Sequence, residues 1–164
     1  MGPWQGKSER HGGRPGMNVA MSGSELADAI REIDSQAVTD QSDDAVWITA
    51  ESWPDVAASL RDSEALSFEM LSLLTTVDYI DHFEVVYHLL SLSKNRRGVV
   101  KIRCGEGRVD PSVPTAINVW RGADLQEREA YDLMGVKFEG HPNLKRLMLW
   151  EGFEGHPLRK DYLR

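Results

Sequence analysis

The stretch that decides the fold is Phe83-Glu-Val-Val-Tyr-His-Leu-Leu-Ser-Leu92, followed by Lys94-Asn-Arg-Arg-Gly98 and Gly98-Val-Val-Lys-Ile-Arg-Cys104. The first segment is almost continuously apolar and β-branched or aromatic, which predicts a strand buried on both faces. The polar segment reads as a turn, and the alternating third segment pairs back on the first as a hairpin. Upstream, Phe68 to Ile80 is ambiguous by periodicity, but its β-branched second half favours a strand. Short strands are also expected at 37–39 and 45–49, around a turn at 40–44.

Helical signals interleave with these strands. Ser22 and Glu25 stand at capping-box spacing, and Leu26, Ile30 and Ile33 then share one face. A second helix is expected from Glu51 to Leu60, with Pro54 in its first turn and Val56 and Leu60 inward. A third is expected from Val113 to Gly135, carrying Ile117, Trp120, Ala130, Tyr131 and Met134. Gly122 is a point at which it can divide, and Gly135 ends it as a left-handed cap. The expected class is α+β: a two-layer mixed β-sheet packed with helices, followed by an extended C-terminal arm. Residues 1–16 read as a disordered tail, 17–135 as the core domain and 136–164 as the arm. The arm's short apolar stretch (Leu144, Leu147, Met148, Leu149, Trp150) cannot bury itself alone, so it must lie along its own domain or a partner.

Bulk properties exclude several functions. The formal charge is −7, with residues 17–135 at −11 and each end at +2. Such an acidic body argues against nucleic acid as a partner. No run of eighteen apolar residues is present, so no span of a bilayer is expected. The single cysteine, Cys104, excludes an internal disulfide and any cluster or zinc site made by cysteines of this chain alone. It reads as an ordinary strand residue.

Chemistry-bearing residues concentrate near the C-terminus. Glu127-Arg-Glu-Ala-Tyr-Asp132 puts three carboxylates on one helix, where Asp124 and Arg128 are expected to pair at i,i+4. A salt-bridged face or an ion network outweighs acid–base catalysis there, because catalysis needs two carboxylates converging in a cleft. Phe-Glu-Gly-His-Pro occurs twice, at 138–142 and 153–157, each copy followed by basic residues. Two histidines at fixed spacing raise the idea of a metal, but His141 and His156 are fifteen apart, each held before a proline. His82 and His88 are expected on one strand, about 20 Å apart by strand rise, which is too far for one ion. Gly105-Glu-Gly107 is a turn rather than a nucleotide fingerprint.

Three linked blocks carry a resemblance: Glu127-Arg-Glu-Ala-Tyr-Asp-Leu-Met-Gly135, Phe138-Glu-Gly-His-Pro-Asn-Leu-Lys-Arg146 and Glu154-Gly-His-Pro-Leu-Arg-Lys-Asp-Tyr162. With Thr75-Thr-Val-Asp-Tyr79 and the strand at 83–92, they closely resemble the 30-kilodalton subunit (the C subunit) of NADH-quinone oxidoreductase, respiratory complex I. The stretch Ala123–Gln126, Met134 and Leu163 depart from that family's usual residues. The resemblance implies a non-catalytic subunit of the hydrophilic arm that binds no cofactor itself. Flavin, iron–sulfur clusters and quinone are expected in partner subunits. The partners implied are the large quinone-chamber subunit and neighbouring iron–sulfur subunits, with membrane contact only through the complex, at the cytoplasmic side. It further implies that the Gly-His-Pro turns bend the arm while charged and aromatic residues dock it: Glu127, Arg128, Glu129, Tyr131, Asp132, His141, Lys145, Arg146, Trp150, His156, Arg159, Lys160, Asp161 and Tyr162. The equivalent subunit of a membrane-bound hydrogenase or ferredoxin-linked complex is the alternative.

Overall fold

The computed structural model describes residues 18–162; the expected N-terminal tail lies outside them. In chain order the elements are β1 (Val19–Ala20), α1 (Gly23–Ile33), β2 (Val38–Gln41), β3 (Val46–Ile48), α2 (Trp53–Asp62), β4 (Met70–Asp78), β5 (Phe83–Ser91), β6 (Arg96–Cys104), a 3-10 turn (Glu106–Arg108), β7 (Ser112–Pro114), α3 (Ala123–Met134) and β8 (Lys137–Glu139).

The hairpin forms as its sequence dictates. β5 and β6 pair antiparallel from Phe83 opposite Cys104 to Ser91 opposite Arg96. The turn lies earlier than expected: Arg96 and Arg97 belong to β6, and Asn95 at φ 52° supplies the left-handed corner. β4 pairs on the far side of β5, with a register shift between Leu71 and Leu73. The sheet order is β2-β3-β6-β5-β4, with β1 also beside β6. β3 and β1 run parallel to β6, so the sheet is mixed. As expected, β5 is buried on both faces along most of its length.

Ser22 accepts the Glu25 N–H and the Glu25 carboxylate accepts the Ser22 N–H, closing the capping box that starts α1. Leu26 and Ile30 of α1, and Val56 and Leu60 of α2, are buried against the sheet; Ile33, at the end of α1, is half-exposed. Trp53 is fully buried in the first turn of α2, its ring 4.3 Å from Tyr87 and 5.9 Å from Trp120. This aromatic centre rests on tertiary contacts that no local pattern displays.

Two expectations are corrected. Residues 113–122 are not helical. Ser112–Pro114 is a strand paired in parallel with β8, and turns then lead to Gly122, after which α3 begins. Pro114 donates nothing to a ladder and suits a short edge strand as well as a helix start. The Trp120 indole N–H is drawn to the Phe68 carbonyl, which anchors the turn. Nor does the core stop at residue 135: β8 follows Gly135 at once, with Val136 and Phe138 in the hydrophobic core. Residues 136–162 therefore lie along their own domain.

Candidate functional site

α3 ends on Gly135, whose φ of 76° and N–H bond to the Tyr131 carbonyl make the expected left-handed cap. Both Gly-His-Pro turns also place their glycine at positive φ, Gly140 at 82° and Gly155 at 80°. The turns aim their histidines at two places on α3. His141, its side chain wholly buried, accepts the Asn143 N–H on Nδ1, so its Nε2 carries the proton. That Nε2–H lies 3.3 Å from the Asp124 carbonyl and carboxylate and 3.9 Å from Glu127 Oε2. His156 has the opposite tautomer: its Nδ1–H donates to the Asp132 carbonyl at 2.9 Å, and its ring stands edge-on to Tyr131. A side chain at Gly135 would collide with the His156 ring. The repeat thus supplies two seats of one arm on one helix. Among the described residues no group of three His, Cys, Asp or Glu is arranged to hold a metal ion.

The carboxylates of α3 are unlike one another. Glu127 is fully buried and bonds the Thr115 hydroxyl at 2.5 Å and the Ala116 N–H at 2.7 Å. Burial pushes its acid up to about 7, against the lowering effect of those two bonds. Asp132 is also fully buried, yet its acid falls to about 2. Burial alone would raise it. The N–H of Leu149, the Arg146 guanidinium and the N–H groups of Met148 and Leu147 together outweigh burial. Glu129 is exposed.

Arg146 ties the arm together. It reaches Asp132 Oδ1 at 2.7 Å, the Asp132 carbonyl, and the Phe153 and Gly155 carbonyls at 2.8 and 2.9 Å. Its planar fork allows one side chain to bind four acceptors. The expected Asp124–Arg128 pair does not form: Arg128 donates instead to the carbonyls of Lys145 and Arg146. Carbonyls of the arm thus replace a carboxylate as its partner, and Asp124 faces His141.

A second clasp has no signal in the sequence. Asp78, buried at the end of β4, takes both Arg108 and the Lys160 N–H, the latter at 2.7 Å. Asp161 bonds Arg159 and Arg108, which hold its carboxyl well below the usual carboxylate range. Arg108 and Arg159 also lie over the Phe83 ring. The block Thr75–Tyr79 contains Asp78, but nothing local marks Arg108 as its partner. His82 stands before β5 rather than in it, stacked on Tyr79.

Arg146, Arg159 and the two histidines of the arm therefore turn inward, and several apolar side chains turn out. Trp150 is 70% exposed, Met148 63% and Leu158 60%; Tyr162 is half-exposed. Trp150 packs edge-on against Phe153. Lys145 and Lys160 are exposed.

A sequence family described as respiratory-chain NADH dehydrogenase, 30 Kd subunit, matches residues 46–164. The chain belongs to this family. It is 49% identical over 106 residues to the C 2 subunit of the NADH-quinone oxidoreductase of Rhizobium meliloti, covering 63% of this chain and 57% of that relative. It is 44% identical over 120 residues to the C subunit of the same enzyme from a Roseiflexus species, covering 71% of this chain and 68% of the relative. The chain thus matches little more than half the length of some of these relatives. Among solved structures, a trypsin-resistant fragment of Nqo5 superposes with a TM-score of 0.56 at 27% identity, covering 74% of this chain and 98% of the fragment. A chain of an archaeal respiratory membrane complex, the membrane-bound sulfane sulfur reductase, superposes at 0.63 and 26% identity, covering 85% of this chain and 84% of that one. Both share this α+β fold. No helix among the described residues is long and apolar enough to cross a membrane.

Proposed function

We propose that this chain is a non-catalytic accessory subunit of the hydrophilic arm of a complex I-type NADH-quinone oxidoreductase, where it braces the large quinone-chamber subunit. In this reading flavin, iron–sulfur clusters and quinone sit in that subunit and in neighbouring iron–sulfur subunits, and the chain itself holds none. The assembled complex couples electron transfer to quinone with proton translocation, and the chain lies peripherally on the cytoplasmic side of the membrane.

The observation that carries the docking role is the arm's division of labour. Its backbone is fixed by Asp132, Arg146 and Asp78, while Trp150, Met148 and Leu158 stay exposed. A preordered segment showing large apolar side chains loses little entropy on binding and supplies anchors of the kind that dominate interfaces. Lys145 and Lys160, exposed on the same arm, suit an acidic rim on the partner.

The likeness to the sulfane sulfur reductase chain favours one alternative, an equivalent place in a related membrane-bound hydrogenase or ferredoxin-linked complex. Gentle purification of the tagged chain from detergent-solubilised membranes, with mass spectrometry of its companions, separates the two. A quinone-chamber subunit with iron–sulfur and flavin-bearing subunits supports the first reading. A nickel–iron large subunit supports the second. Recovery of the chain alone overturns both.

A further inference from the structure

On the second face of the sheet the side chains of β5 are shielded by those of the neighbouring strands, while β4 leaves apolar side chains half-exposed. On the core face, Val85, Tyr87 and Leu89 of β5 join the hydrophobic cluster with the helices. On the other face, Val86 is only 6% exposed, yet it belongs to no part of that cluster. Beside it on β4 run Met70, Leu73 and Val77, 46%, 47% and 38% exposed. On the other side, along β6, run Arg97, Lys101 and Arg103.

The charge of this face sets it apart from its surroundings. Residues 17–135 carry −11, yet three of their ten basic residues, Arg97, Lys101 and Arg103, stand in one row on this face. Two members of the β6 column are held in place. Lys101 sits 4.4 Å over the Trp47 ring and 3.9 Å from Glu84, and Arg103 bonds Glu84 at 3.3 Å. Arg97 makes no ion pair among the described residues.

The apolar column on β4 and the basic column on β6 flank β5, so they lie two strand spacings apart, about 10 Å. That is roughly the width of one α-helix with its side chains. A helix laid along β5 would rest an apolar stripe on Leu73, Val77 and Val86 and turn one flank toward Arg97 and Lys101. Carboxylates on that flank would complement these cations, above all Arg97, which has no ion pair among the described residues. We propose that this sheet face docks an amphipathic helix of a partner subunit, with acidic residues along one flank. It would supply the missing third layer of the fold, and it is a surface separate from the arm.

The test places a benzophenone side chain at Leu73, or separately at Trp150, of the full chain in its native membranes. Crosslinked peptides are then mapped by mass spectrometry. The expected result is a crosslink from Leu73 to a helical, carboxylate-flanked segment of another chain. Adding Arg97→Glu should lower its yield about tenfold, since like charges then face each other, without changing the Tm of the purified chain. No protein crosslink from Leu73, lipid adducts only, a target without an acidic flank, or a yield indifferent to Arg97→Glu each overturns the inference. The Trp150 site judges the arm independently, so failure of one surface is distinguishable from failure of the other.

Discussion

One oxygen of Asp132 accepts the N–H groups of Leu147, Met148 and Leu149, at 2.9, 2.7 and 2.9 Å, while the other takes the Arg146 guanidinium at 2.7 Å. A single helix carboxylate thereby organises a loop fifteen residues downstream. Removing its charge leaves either the guanidinium or the three amides without a full acceptor, and such losses in buried networks are costly.

Asp132→Asn is therefore expected to cost about 3 kcal/mol of local stability. Amide exchange at Leu147–Leu149 should accelerate by roughly a hundredfold. Exchange rates equal to those of the unaltered chain would refute the clasp.

The two buried carboxylates predict pH effects of opposite sign. Asp132 titrates near 2, below its ordinary 3.8, so its contribution is complete above 3.8 and is lost as pH falls through 2. Glu127 titrates near 7, above its ordinary 4.5, so the folded state holds an extra proton in between. Its contribution is complete below 4.5 and is lost as pH rises through 7, on the order of 3 kcal/mol. Glu127→Gln mimics the protonated acid. Thermal melts between pH 5 and 8 should show less loss for the variant than for the parent; parallel curves would contradict the assignment.

Val136 and Phe138 sit in the core beyond the end of α3, and β8 is the partner of β7. A chain ending at Gly135 is thus expected to lose its cooperative thermal transition. Phe138→Ala should cost about 3–5 kcal/mol. An intact transition in the shortened chain would show that 18–135 folds alone.

Trp150 touches Phe153 but is mostly in solvent. Trp150→Ala should change stability by no more than about 0.5 kcal/mol while clearly reducing recovery of the chain within its complex. Arg159→Ala with Lys160→Ala is a less selective probe, because Arg159 also covers Phe83 and holds Asp161. Full recovery of the Trp150 variant in the complex would remove the arm from the docking surface.

What could be read from sequence was local. The capping box of α1, the glycine end of α3 and the β5–β6 hairpin each follow from residues a few positions apart. The family signature lay in the blocks at 127–135, 138–146 and 154–162. Parallel pairing of β3 and β1 with β6 was not readable, because register between distant strands leaves no short-range mark. Val113–Pro114 misled for a physical reason: proline near an apolar run suits both a helix start and an edge strand. The site was half visible. Glu127, Asp132, His141, Arg146 and His156 stood out by residue type, but their burial and mutual pairing depend on how the arm folds over α3. Asp78 gained its meaning only from Arg108 and Lys160, thirty and eighty-two positions away.

That last separation has a consequence for the nascent chain. Chains grow at about 5–20 residues per second, so on the order of ten seconds pass between the synthesis of Asp78 and that of Lys160. During that interval the β5–β6 hairpin can form and Arg108 can reach Asp78, but Asp78 still lacks the Lys160 N–H and Asp132 lacks Arg146 and the amides of 147–149. The half-made protein should remain hydrated at both seats and open to chaperones, and only residues 146–160 close them. Premature termination before Arg146 would release a chain whose Asp132 socket stays hydrated, a natural target for quality control.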